Sequence, residues 1–253
     1  MSLSVLVTAG LVFARLGSLI AAMPVISARE IPKHVPILLS AVLAILIAPS
    51  IEVMPVESIS AGLIVGLAGE ILLGAAVGLS VRAVFSAIAM ACELASMQMG
   101  LAMAAQFNPL QMQQTGPLAI LCTWISGGIF LISGLHLRCL EIVAASFQVV
   151  PPGTAGLHEA ALQSVLLAVG TCISLGAQLA GPLILMAWMI NVLVGVLGRL
   201  APRMNVFLSI GMTLSSAVGV VLVMLSLPWM MVSHEAALRE VVATSWRVLS
   251  AGV

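Results

Sequence analysis

The sequence predicts an all-α, polytopic membrane fold, and three observations carry that prediction. Of 253 residues, 62% are hydrophobic and only 7% charged, and the mean hydropathy of +1.24 lies beyond the range of soluble domains. Apolar stretches near residues 3–26, 36–51, 59–105, 117–137, 161–198 and 205–232 dominate the chain, joined by short polar links. Nine basic and nine acidic residues cancel, and the absence of a basic field excludes nucleic acid as a partner. Residues 1–253 read as a single membrane domain of long kinked helical hairpins.

The first stretch, MSLSVLVTAGLVFARLGSLIAAMP, lacks the positive leading region of a cleavable signal peptide and carries Arg15 in mid-run, so it reads as a retained helix. A second apolar stretch follows Arg29 and Lys33. The third, residues 59–105, holds 47 residues without proline, with Arg82 near its middle. As one helix it would extend about 70 Å, against a hydrocarbon core of about 30 Å. Either the chain reverses around residues 80–83, or this helix does not simply cross lipid. The 38-residue run 161–198 raises the same question, and Gly181-Pro182 can break or kink it. The last piece, residues 232–253, reads as an amphipathic helix starting at a Ser233 N-cap. Leu238, Val241, Val242, Trp246 and Leu249 share one face, among Arg239, Glu240 and Arg247. It is expected at an interface or against a partner. The links carry one or two basic residues each, which leaves the orientation open.

Within GLIVGLAGEILLGAAVGL, Gly62, Gly66, Glu70, Gly74 and Gly78 form an unbroken i, i+4 series. Small residues on such a stripe let another backbone approach closely, which suits helix packing or an intersubunit contact. Glu70, at its centre, costs about 2.5 to 3.5 kcal/mol to insert and must face protein, water or a partner charge. Two readings stand: a proton or ion relay, and an intersubunit hydrogen bond or salt bridge. Glu93 is open to the same two. Gly211, Ser215 and Gly219 repeat the small-residue spacing.

Catalytic chemistry finds no support. His34, His136, His158 and His234 lie far apart, and HExxH, GxSxG and P-loop motifs are missing. Cys92, Cys122, Cys139 and Cys172 lie singly in apolar runs, as small buried hydrophobes do. No enzyme activity, cofactor or metal is expected.

The stretch AAQFNPLQMQQTGP interrupts this apolar chain with amides. Gln106, Asn108, Gln111, Gln113 and Gln114 donate and accept hydrogen bonds at any working pH without attracting or repelling a particular cargo. Phe107, Leu110 and Met112 are apolar, and Pro109 and Gly116-Pro117 shape the ends. Irregular backbone at membrane depth is tolerated where protein or water surrounds it. The stretch reads as a polar flap in a water-filled passage, the alternative being an ordinary exposed connector. Among 15 methionines, Met97, Met99 and Met103 gather just before it, as constriction candidates or as core filling.

The block GRLAPRMNVFLSIGMTLSSAVG, residues 198–219, resembles the FliR family of flagellar export-gate proteins, whose injectisome counterparts are the SctT proteins. Further agreement comes from Arg15 with Pro24, REIPK at 29–33, GEILLGAAVGL at 69–79, MQMGLAMAAQFNP at 97–109 and GLHLRCLEIVAASFQVVPPG at 134–153. The chain departs from the family at Asn108-Pro109, in place of Asp-Pro, and at Arg203, in place of glutamine. The wording of the 199–219 block favours the flagellar system.

That resemblance implies a pore subunit of a type III export gate in the bacterial inner membrane, within the flagellar basal body. It implies FliP-like and FliQ-like partners in a helical hetero-oligomer, with FlhB-like and FlhA-like components, lipid and unfolded protein substrates. Residues 106–114 would be the plug of the closed pore, and Arg199, Pro202, Arg203 and Phe207 would serve helix packing or intersubunit contact. The rival reading is a self-contained secondary transporter using Glu70 or Glu93 as coupling group, against which stands the lack of paired repeats.

Overall fold

The computed structural model describes residues 3–28, 31–51, 61–99, 116–154, 159–200 and 212–251. The helices are α1 (Leu3–Ala22), α2 (His34–Ile47), α3 (Ala61–Gln98), α4 (Pro117–Ile132), α5 (Leu135–Val149), α6 (Glu159–Leu200) and α7 (Met212–Ala251). A 3-10 turn at Ala48–Ser50 follows α2, and no strand occurs among the described residues. Among the described residues, four helices are long and apolar enough to cross a membrane, over Ser4–Ala22, Gly62–Gln98, Leu162–Leu200 and Ser215–Arg247. Helices α4 and α5 meet at a 57° bend and make a fifth span if taken together. The chain is an all-α polytopic membrane protein.

Two readings of the long runs are now decided. Helix α3 passes through residues 80–83 without reversing, so its 38 residues reach about 57 Å, nearly twice the hydrocarbon core. Helix α6 continues through Pro182, and α7 through Pro228. Proline breaks a helix less readily in an apolar setting, where the freed backbone groups find partners by local adjustment. The amphipathic end does not begin at Ser233 either. It is the last part of α7, with Leu238, Val241 and Val242 buried. The true bend lies at Gly134, between α4 and α5, where φ of 68° selects glycine.

The chain forms two compact units. The first gathers Met1–Val84, Phe130–Thr171 and Ala237–Val253. Here α1 buries Leu11, Val12, Leu16, Leu19, Ile20 and Met23, a helical face that meets α2 and α5 as well as α3. The glycines of α3 set the closest approach. Built onto Gly74, a Cβ would collide with the Arg15 carbonyl and the Ser18 hydroxyl, and one on Gly78 would come within 2.7 Å of the Ala22 Cβ and 2.8 Å of the Leu19 carbonyl. Successive turns of α3 thus meet successive turns of α1, and the two helices run parallel, with α2 as the return.

The second unit gathers Phe85–Ile129 and Cys172–Ala236. Its core takes Ile88, Cys92 and Ala95 from α3 and Met99 just after it, Cys122 from α4, Leu179 and Leu183 from α6, and Val223 and Met230 from α7. Glycine again allows close packing: Gly176 lies against the Met90 side chain, and Gly219 against that of Met99.

Candidate functional site: a buried ion pair and two anchors

Arg15 of α1 and Glu70 of α3 are both fully buried, at 0% exposure, and form a salt bridge through Arg15 Nε and Glu70 Oε2. The remaining guanidinium nitrogens are also used. Nη1 donates to Ser146 Oγ at 2.9 Å, and Nη2 donates to the Val150 carbonyl at 3.1 Å. The Phe147 ring lies under the guanidinium, 4.2 Å from centroid to Cζ, adding a cation–π contact. Ser146 is held in turn by donating to the Val143 carbonyl at 2.6 Å.

The other carboxylate oxygen, Glu70 Oε1, accepts from the backbone N–H of Gly153 at 2.9 Å. Gly153 adopts φ of 82°, a conformation that a side chain resists. It also needs glycine opposite: a Cβ on Gly66 would reach within 2.7 Å of the Gly153 carbonyl. The stripe that packs α3 on α1 therefore also seats the 150–154 turn against the carboxylate.

Two opposite full charges in an apolar interior cancel, and each finds additional hydrogen bonds, the condition under which a buried pair repays its desolvation. Glu70, placed by the sequence in helix packing or an intersubunit contact, finds its counter-charge within its own chain, at Arg15 of α1. Its two oxygens are occupied by Arg15 and Gly153, so the arrangement ties α1, α3, α5 and the following turn together.

Two further polar contacts lie in the second unit, on either side of residues 100–115. Before that segment, the Met99 carbonyl accepts from Ser216 Oγ at 2.8 Å, and the Met99 side chain is buried against Gly219. After it, Glu93 Oε2 accepts from the Gly116 N–H at 2.8 Å, one residue ahead of α4. A carboxylate there also faces the positive end of the α4 dipole. The candidate plug, residues 106–114, lies outside the described residues, as do Met103, Pro202, Arg203 and Phe207. Met97 is exposed, whereas Met99 is committed to packing inside the chain. Gly62 is exposed, and Arg199 is exposed in the last turn of α6.

A third polar pair escaped the sequence reading. Ser126 of α4 and His234 of α7, both at 0% exposure, meet at 2.6 Å through Ser126 Oγ and His234 Nε2, with Phe85 edge-on to the imidazole. Their 108-residue separation leaves no local signal. Cys92 and Cys122 are adjacent free thiols. No group of three His, Cys, Asp or Glu side chains suited to a metal ion occurs among the described residues.

Membrane-length helices locked by a neutralised internal ion pair define a polytopic membrane protein. The profile of the bacterial export proteins, family 1, matches residues 6–241, and the chain belongs to this family. It is similar to the flagellar biosynthetic protein FliR of Pectobacterium carotovorum subsp. carotovorum, with 31% identity over 216 residues, covering 85% of this chain and 82% of that one. The FliR proteins of Escherichia coli K12 and Aquifex aeolicus VF5 are each 29% identical, over 85% and 88% of this chain and 82% and 86% of theirs. The resemblance read from scattered motifs thus extends over most of the sequence.

Proposed function

We propose that the chain is a non-enzymatic, pore-forming subunit of the flagellar type III protein export gate, and that residues 106–114 plug the closed pore. The observation that carries this reading is the pair of anchors around residues 100–115. Met99 is fixed on one side by Ser216 and Gly219, and Gly116 on the other by Glu93. An amide-rich segment held at both ends has fixed points from which to fill a passage and yield to cargo. Met97 and Met103 are the constriction candidates left once Met99 is assigned to packing.

In this reading the chain works in the bacterial inner membrane, at the flagellar basal body, beside FliP-like and FliQ-like subunits and FlhB-like and FlhA-like components. It admits unfolded protein substrates. Outward apolar side chains such as Leu46, Leu185 and Met189 supply surface for those neighbours or for lipid. Glu93 and Arg199 would serve packing or subunit contact. The transporter alternative uses Glu70 or Glu93 as coupling group; against it, Glu70 is held by Arg15 and Gly153, and Glu93 Oε2 accepts from the Gly116 N–H.

Deleting residues 106–114 should leave assembly intact and raise ion leakage in a reconstituted or cellular conductance assay. Unchanged conductance would remove the plug role. Recovery in mild detergent of a stable complex with two other small hydrophobic proteins supports the gate, whereas an active monomer or homodimer supports the transporter.

A further inference from the structure

We propose that the groove between α1, α2 and α3 in the first unit is a binding site for one anionic phospholipid, with the acyl chains along the groove and the phosphate at its Lys33 end. The groove has a volume of about 870 Å³. Its floor is the small-residue face of α1, Gly10, Ala14, Gly17 and Ala21, and Ile37 and Ile71 stand on its walls. Space is left above that floor. A Cβ on Gly10 would meet nothing within 4 Å, and one on Gly17 would meet only the Ser40 side chain, at 3.8 Å.

The dimensions fit a lipid of one leaflet. From Gly10 to Ala21 the floor rises about 17 Å, roughly half the hydrocarbon thickness of about 30 Å.

The charge distribution selects the head group. No acidic side chain lines the groove among the described residues, and one end is closed by Ser27, Ala28, Ile31 and Lys33. Arg82 reaches the same end, donating to Ser27 Oγ at 3.4 Å, so two exposed cations stand at the mouth of an apolar trough. Lys33 is also the N-cap of α2 and makes no side-chain capping bond. A cation there faces the positive end of the helix dipole, an unfavourable placement that a phosphate relieves. Paired basic residues between membrane helices are a recurring way to hold an anionic head group.

The test uses the full chain purified from bacterial membranes in mild detergent with whatever proteins remain bound. It is delipidated, incubated with phosphatidylglycerol or phosphatidylcholine vesicles, and read by native mass spectrometry. One phosphatidylglycerol per chain should be retained, and no phosphatidylcholine. The exposed double variant Lys33→Ala with Arg82→Ala should weaken retention roughly thirtyfold. Gly10→Leu, which fills the floor and leaves the charges, should abolish it, while Gly10→Ala keeps it and controls for folding. Equal retention of both lipids, or undiminished phosphatidylglycerol in the charge variant, overturns the proposal. So does a Gly10→Leu variant that keeps the lipid but releases a bound protein, which would mark the groove as a seat for a partner helix.

Discussion

The two units bury polarity in different ways. In the first, two full charges are enclosed at 0% exposure, and Arg15 and Glu70 share contacts with Ser146, Phe147, Val150 and Gly153. In the second, the polar groups are neutral where buried and joined mostly by single hydrogen bonds, Ser126 to His234 and Ser216 to Met99, while the carboxylate of Glu93 is only half-buried where it meets Gly116. His234 Nδ1 is buried with no hydrogen-bond partner among the described residues. A full charge inside an apolar fold must be matched several times over, because its desolvation costs several kcal/mol; a neutral group is tolerated with one partner. The first unit is therefore built as a lock. The second holds its ends lightly, as befits the unit that borders residues 100–115.

Removing one partner of the ion pair should have the largest effect. Arg15→Ala or Glu70→Ala leaves an uncompensated buried charge and should cost about 3–5 kcal/mol. The loss should appear as a lower thermal midpoint in detergent and a lower level of the chain in membranes. Arg15→Leu combined with Glu70→Leu should lose far less than the two single changes together. An additive result would mean that the two side chains do not act as a pair.

A smaller loss is expected from Ser126→Ala, which takes away the hydrogen bond to His234 and leaves both imidazole nitrogens buried and unpaired. About 1–3 kcal/mol is the usual penalty, measurable by the same melting experiment. A change as large as that of Glu70→Ala would erase the distinction between the units. The smallest effect belongs to Ser216→Ala, about 1 kcal/mol for one hydrogen bond to a backbone carbonyl. Its signature is local: faster proteolytic cleavage within residues 100–115, with the melting of the first unit unchanged.

Much of the fold was legible from composition and period. The i, i+4 glycines on α3 could be read because helical geometry puts them on one face, and the structure uses Gly66, Gly74 and Gly78 for close contacts. The ionisable residues were visible singly. Their pairing was not, since Arg15 and Glu70 stand 55 residues apart and no local rule joins them. The signal that could have joined them is the scarcity of charge itself. An arginine in the first apolar run and a glutamate in the third have few other places to be neutralised. The bend at Gly134 is hidden because hydropathy carries the 117–137 run across it, and whether Pro182 breaks its helix depends on how the neighbouring packing accommodates it.

The separation of Arg15 and Glu70 bears on how the chain enters the bilayer. Arg15 is synthesised first, and at about 5–20 residues per second its counter-charge follows roughly 3–11 seconds later. Throughout that interval a lone guanidinium resists the lipid centre by about 2.5 to 3.5 kcal/mol. The first helix is then expected to seat fully only when the third arrives to claim it. Nascent chains stalled before residue 70 should leave that helix extractable by alkaline carbonate, and chains stalled well beyond it should not.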